Sequence, residues 1–105
     1  MKYTVLANWP IGKQTSCVGN IDVSFNELKE EFGNPSEGDG YKVDAQWLLD
    51  IGGEFITVYN YKDGINYNGI EDGTPTEKIR DWHIGGESKS VVEKVRNLFD
   101  TEGVV

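Results

Sequence analysis

The chain holds a single cysteine, a single histidine and three prolines among its 105 residues, and no long apolar run. With Cys17 alone, neither an internal disulfide nor a thiolate zinc site can form, which fits a reducing compartment. With His83 alone, a multi-histidine metal centre is excluded. No stretch approaches the roughly 18 to 20 consecutive apolar residues that span a bilayer, and the segment from Met1 to Asn8 is too short for a secretory signal. A soluble, intracellular protein without membrane attachment is expected. Cations are also scarce: 10 Lys and Arg face 18 Asp and Glu, a net charge of -8 that repels duplex DNA. DNA is therefore not an expected partner. The deficit is uneven, because residues 62 to 96 carry six Lys/Arg against seven Asp/Glu and the remainder carries four against eleven. A small anion is least unwelcome in that near-neutral segment.

At this length one domain is expected over residues 1–105, able to bury roughly two-thirds of the unfolded chain's surface. Two helices are marked by their starts. Ser24-Phe25-Asn26-Glu27 is a capping box with Val23 and Leu28 as hydrophobic staple, Phe25, Leu28 and Phe32 share one side, and Gly33 supplies the stop. Ser90-Val91-Val92-Glu93 repeats the device before a stripe of Val91, Val92, Val95, Leu98 and Phe99, ending near Asp100. Between Gly33 and Gly40 the composition is that of a loop.

Strands account for much of the rest. Tyr41, Val43, Ala45, Trp47 and Leu49 alternate with Lys42, Asp44, Gln46 and Leu48, and Asp50-Ile51-Gly52-Gly53 turns the chain into Glu54 to Tyr61. Asp63-Gly64 is a turn pair, from which Ile65-Asn66-Tyr67 extends a hairpin. Further strands are expected over Ile79 to Ile84, Lys2 to Ala7 and Cys17 to Val23, with Cys17 a small buried strand residue. The fold class is α+β: a mainly antiparallel sheet with two short helices on one face. Phe55 to Tyr61 is apolar on both faces, which in so small a chain points to a second subunit covering one of them, hence a homo-oligomer.

Chemistry-bearing residues are few. His83 shares a strand face with Asp81, an arrangement suited to structure or ligand contact more than to general base catalysis, and no catalytic residue is assigned. The acidic pairs Asp44 with Asp50 and Glu71 with Asp72 lack the spacing of a calcium loop, so they read as solvated surface; no metal site and no cofactor is expected. Gly85-Gly86-Glu87-Ser88-Lys89-Ser90 runs into a helix start, where unpaired amides and Lys89 can receive a phosphate, or where an ordinary capped turn stands. Nearby aromatic rings offer stacking faces to bases at about 1 to 3 kcal/mol each. The candidate ligand residues are Trp9, Tyr61, Lys62, Arg80, Trp82, Gly86, Ser88 and Lys89, with bases on Tyr61 and Trp82, phosphates at the cations and amides, and Trp9 as lid. The same aromatic residues serve equally as sheet core and interface.

The succession Glu31-Phe32-Gly33-Asn34-Pro35, Gly40-Tyr41-Lys42-Val43-Asp44-Ala45-Gln46-Trp47, Thr57-Val58-Tyr59-Asn60-Tyr61-Lys62-Asp63-Gly64 and Trp82-His83-Ile84-Gly85-Gly86 resembles small accessory proteins of bacteriophage genomes. Within these it is similar to the anti-CBASS sponge proteins of the fourth described family, over most of residues 24 to 100. The resemblance implies a tetramer in the host cytoplasm that evades immunity by sequestering a cyclic di- or trinucleotide, or a related signalling nucleotide, without cleaving it. The residue-level rival is an acidic inhibitor that binds directly to a defence nuclease or other host protein. A third reading, a small hydrolase of such nucleotides, has only the lone histidine to draw on.

Overall fold

A computed structural model describes residues 3–99 and shows an α+β domain built on one antiparallel sheet of six strands. The strands are β1 (Tyr3–Leu6), β2 (Ser16–Asp22), β3 (Ser36–Glu37), β4 (Ala45–Ile51), β5 (Glu54–Tyr59) and β6 (Asp81–Gly86). They lie in the order β1-β4-β5-β6-β2, with β3 pairing the start of β4 on the side that β1 occupies further along. The helices are α1 (Phe25–Phe32), α2 (Ile65–Asp72, broken by a kink at Gly69) and α3 (Ser90–Asn97), and Thr76–Lys78 forms a 3-10 turn. No helix among the described residues is long and apolar enough to cross a membrane.

Strand alternation sorts the sheet into two unlike faces. Trp47, Leu49, Ile51, Ile56, Val58, Trp82 and Ile84 point to the helical side and form one core with Leu28 and Phe32 of α1 and Val91, Val92 and Val95 of α3. The opposite face is set by the cross-strand pairs Gln46 with Tyr59, Leu48 with Thr57, Thr57 with Gly85 and Tyr59 with His83. No helix covers it. Its central part lies under the segment that follows β1: Trp9 meets Phe55 edge to face at 4.9 Å, and Thr15 stands over Gly85. Phe55 and Thr57 are buried by this covering. The two-sided burial of β5, which the sequence pattern referred to a second subunit, is thus met within one chain.

Helix α1 forms as its residues dictate. Ser24 Oγ accepts from the Glu27 amide at 3.0 Å, Glu27 Oε1 accepts from the Ser24 amide at 2.9 Å, and Val23 and Leu28 are both buried. The β4–β5 hairpin closes through Gly52 and Gly53, both at positive φ, as the two-residue turn that matches strand twist requires.

Four expectations are corrected. Tyr41 to Asp44 are not in β4 but in the bends before it, and Tyr41 is 55% exposed. Ile79 and Arg80 precede β6, which begins at Asp81. Ser90 does not cap α3: Lys89 is already helical, a turn has begun at Ser88, and Ser90 Oγ bonds Ser88 Oγ at 2.7 Å inside the first turn. Ile65 to Tyr67 belong to a helix, not to a hairpin strand. Helix α3 ends at Asn97, short of the expected end near Asp100, and Asp100 itself lies outside the described residues, as does Lys2.

The contrast between the two serines is measurable. Ser24→Ala should lower stability by about 1 kcal/mol, the usual cost of a lost cap. Ser90→Ala should stay within about 0.5 kcal/mol of the parent protein. Urea midpoints at constant slope distinguish the two.

Candidate functional site

The most ordered polar construction in the chain stands where β5 ends and β4 begins. Asn60 is fully buried; its Oδ1 accepts from the amides of Asp44 (2.8 Å) and Ala45 (3.1 Å), and its Nδ2 donates to Asp44 Oδ1 (2.8 Å) and Asp63 Oδ1 (3.0 Å). Asp44 Oδ2 in turn accepts from the Asn66 amide at 3.2 Å, a carboxylate at the start of α2 that the helix's own sequence does not provide. Asn68 Nδ2 reaches back to the carbonyls of Lys62 (2.9 Å) and Gly64 (3.2 Å). Asp39 Oδ1 gathers the amides of Tyr41, Lys42 and Val43 at 2.8 to 2.9 Å. Those donors, Val43 foremost, hold the Asp39 carboxyl below its usual range.

On this frame sits a ridge of exposed rings and cations. Tyr41, Tyr61 and Tyr67 are 55%, 40% and 37% exposed. Tyr41 and Tyr67 lie 5.1 Å apart, Lys62 Nζ stands 5.3 Å from the Tyr61 ring and 5.6 Å from that of Tyr67, and Lys42 Nζ is 5.9 Å from Tyr41. Lys62 holds a φ of 61°, the sole positive φ outside glycine among the described residues, and its amide donates to the Lys42 carbonyl at 2.8 Å. Strain of this kind persists only where surrounding bonds over-determine it, and it gathers at functional sites.

From the ridge the aromatic series continues onto the helix-free face. His83 lies 5.8 Å from Tyr61 and 5.6 Å from Tyr59, ring centre to ring centre. Its Nε2 is 3.8 Å from Asp81 Oδ2, so the expected sharing of a face by these two is observed. Cys17 is exposed, not buried, with Sγ 3.9 Å from His83 Nδ1. The Tyr59 hydroxyl is pushed up to about 12 by its burial and then by neighbouring Cys17, so it remains a donor at neutral pH. Among the described residues no cluster of three or more His, Cys, Asp or Glu could hold a metal ion.

The expected ligand residues divide. Tyr61 and Lys62 belong to the ridge. Arg80 lies at the same end of the sheet, but its Nε is paired with Asp22 Oδ1 at 2.9 Å. Gly86, Ser88 and Lys89 stand at the far end of β6, about 17 Å away by strand rise. Trp82 offers no surface to a base: it is 0% exposed, lies 5.4 Å from Trp47 and gives its Nε1 proton to the Ile79 carbonyl. Gly86 is buried beneath Val91 on the helical side and presents nothing to solvent. Trp9 is 44% exposed, over Phe55, with Nε1 bonded to the Lys13 carbonyl at 2.8 Å. Tyr41, Lys42 and Tyr67 were outside the expected set. The Asp39-Gly40 pair before Tyr41 is the one local sign of the loop that displays two of them.

Comparison of the chain with protein-family models, curated proteins and solved structures yields no match.

Two measurements probe this construction. Asn60→Ala strands two backbone amides and should lower stability by about 3 kcal/mol. Burial and its neighbours push the hydroxyl of Tyr3, as of Tyr59, from 10.0 up to about 12. A raised folded value means the stability they supply is complete below pH 10 and is lost as pH climbs through about 12. An ultraviolet titration should show two tyrosines ionising near pH 12, with Tyr3→Phe and Tyr59→Phe each removing one.

Proposed function

We propose that the chain captures a small signalling nucleotide, a cyclic di- or trinucleotide or a relative, and holds it intact as a bacteriophage counter-defence sponge. The observation that carries this reading is the ridge: three exposed tyrosines and two lysines, fixed in place before any ligand arrives. Each ring can take one base face at about 1 to 3 kcal/mol, and each ammonium can meet a phosphate. A frame already ordered by Asn60 and Asp39 reduces the entropy lost on binding. Capture without turnover is part of the proposal; His83 packs against Tyr59 and Tyr61, with Asp81 at 3.8 Å and Cys17 Sγ at 3.9 Å. On a body of charge -8, phosphate binding gains from pooling cations of several copies, as in the tetramer that the resemblance implies. The sequestered messenger and the host cytoplasm are parts of the same proposal.

One observation favours the inhibitor instead. Helix α2 buries none of its residues and leaves Ile70 84% exposed beside Glu71 and Asp72, a surface suited to a basic protein partner.

Calorimetry with a panel of cyclic di- and trinucleotides tests the proposal, followed by denaturation and mass measurement of the ligand. Binding with unchanged ligand mass is expected. Lys62→Gly removes the cation and accommodates the left-handed backbone, so it should keep or raise the melting temperature while weakening binding about tenfold or more. Absence of any nucleotide binding, together with a salt-sensitive complex with a basic defence protein, would replace this reading by the inhibitor.

A further inference from the structure

We infer that a depression on the helix-free face is a receptor for one uncharged planar heterocycle of nucleobase size. The inference deepens the nucleotide reading and rests on it for what the ring is attached to. The depression lies between the overlying segment, represented by Trp9 and Thr15, and the sheet residues Gln46, Thr57 and Tyr59; Asp39 and Val43 close the end nearest the ridge. Its volume is about 270 Å³, room for one ring system, whereas sites for larger organic ligands begin near 300 Å³. No lysine or arginine lines it and Asp39 does, so a phosphate has no place there. Two aromatic walls, Trp9 and Tyr59, suit a flat occupant.

The second observation is Thr57. It is 1% exposed, and its hydroxyl has no hydrogen-bond partner. Buried polar atoms without partners are rare in folded proteins, and each calls for an explanation. The hydroxyl occupies the place that a side chain on Gly85, its partner across the strand pair, would need: a Cβ there would collide with Thr57 Oγ1 and come to 3.0 Å from Thr15 Oγ1. A base edge carries both donors and acceptors, and the depression answers both. Thr57 and Thr15 offer hydroxyls, and Gln46 commits its Nε2 to the Glu37 carbonyl, which leaves its own oxygen free to accept. Stacking between aromatic side chains with hydrogen bonds to the edge is how an extruded base is read elsewhere.

The test titrates free adenine, guanine, cytosine and uracil into the full chain and follows tryptophan fluorescence. Trp9 is the reporter, since Trp47 and Trp82 are 1% and 0% exposed. At least one base should give a saturable change. Thr57→Val should weaken it about tenfold or more while the melting temperature holds or rises, because an unpaired hydroxyl has been removed. Thr57→Ser, which keeps the hydroxyl, should bind within about threefold of the parent. No saturable response to any base, or a response indifferent to Thr57→Val, overturns the inference. If cyclic nucleotides then bind Thr57→Val as they bind the parent, the sponge reading stands and the base receptor falls. If free bases bind through Thr57 and no nucleotide binds, the receptor stands and the sponge falls.

Discussion

A single side-chain amide, that of Asn60, sets the geometry on which the candidate site depends. It has four hydrogen-bonding positions and uses all of them, on Asp44 and Ala45 before it in the chain and on Asp63 three positions after it, so the loop before β4 and the loop after β5 are joined at one buried point. In a low-dielectric interior a fully satisfied polar node of this kind fixes one arrangement, because any slip leaves donors or carboxylates unpaired. Asp44 extends the node to α2, a helix too short and too rich in asparagine and glycine to hold on its own propensity. The exposed rings of Tyr41, Tyr61 and Tyr67 stand on this foundation without taking part in it.

The division of labour between the sheet's faces follows from packing. α1 and α3 pack on one side and form the apolar core with it. Among the described residues the other side is covered by one short segment, whose cover is close over Phe55 and looser over Thr57 and Tyr59. Stability is concentrated on the first side, and the second is free to keep unfilled space and unpaired groups. Loops carried by a rigid scaffold are where binding residues commonly reside.

The legible parts of the fold were those with local causes. α1 could be read because its cap, staple and stop lie within eleven consecutive residues, and the β4–β5 hairpin because two glycines sit at its turn. α2 could not, since its stabilising carboxylate comes from Asp44, 22 positions before the amide it meets. Ser90 resembled Ser24 in pattern but lies inside a turn that had already begun at Ser88. For the site, Tyr61 and Lys62 were legible as aromatic and cation beside a turn pair. Trp82 was misplaced although alternation held the answer: if Asp81 and His83 share the helix-free face, Trp82 must point into the core. Thr57 gave no sign in the sequence, because an unpaired hydroxyl is a property of its neighbours and not of the residue.

Strand β2 forms one margin of the sheet, and an uncovered margin invites a foreign strand to add itself. Here the register slips between Cys17 and Gly19, Asp22 sits at the end, and Arg96 of α3 occupies the Asn20 carbonyl at 3.0 Å. A slipped, charged and partly plugged border makes a poor template. Copies of this chain are accordingly steered away from zipper-like polymerisation on that flank.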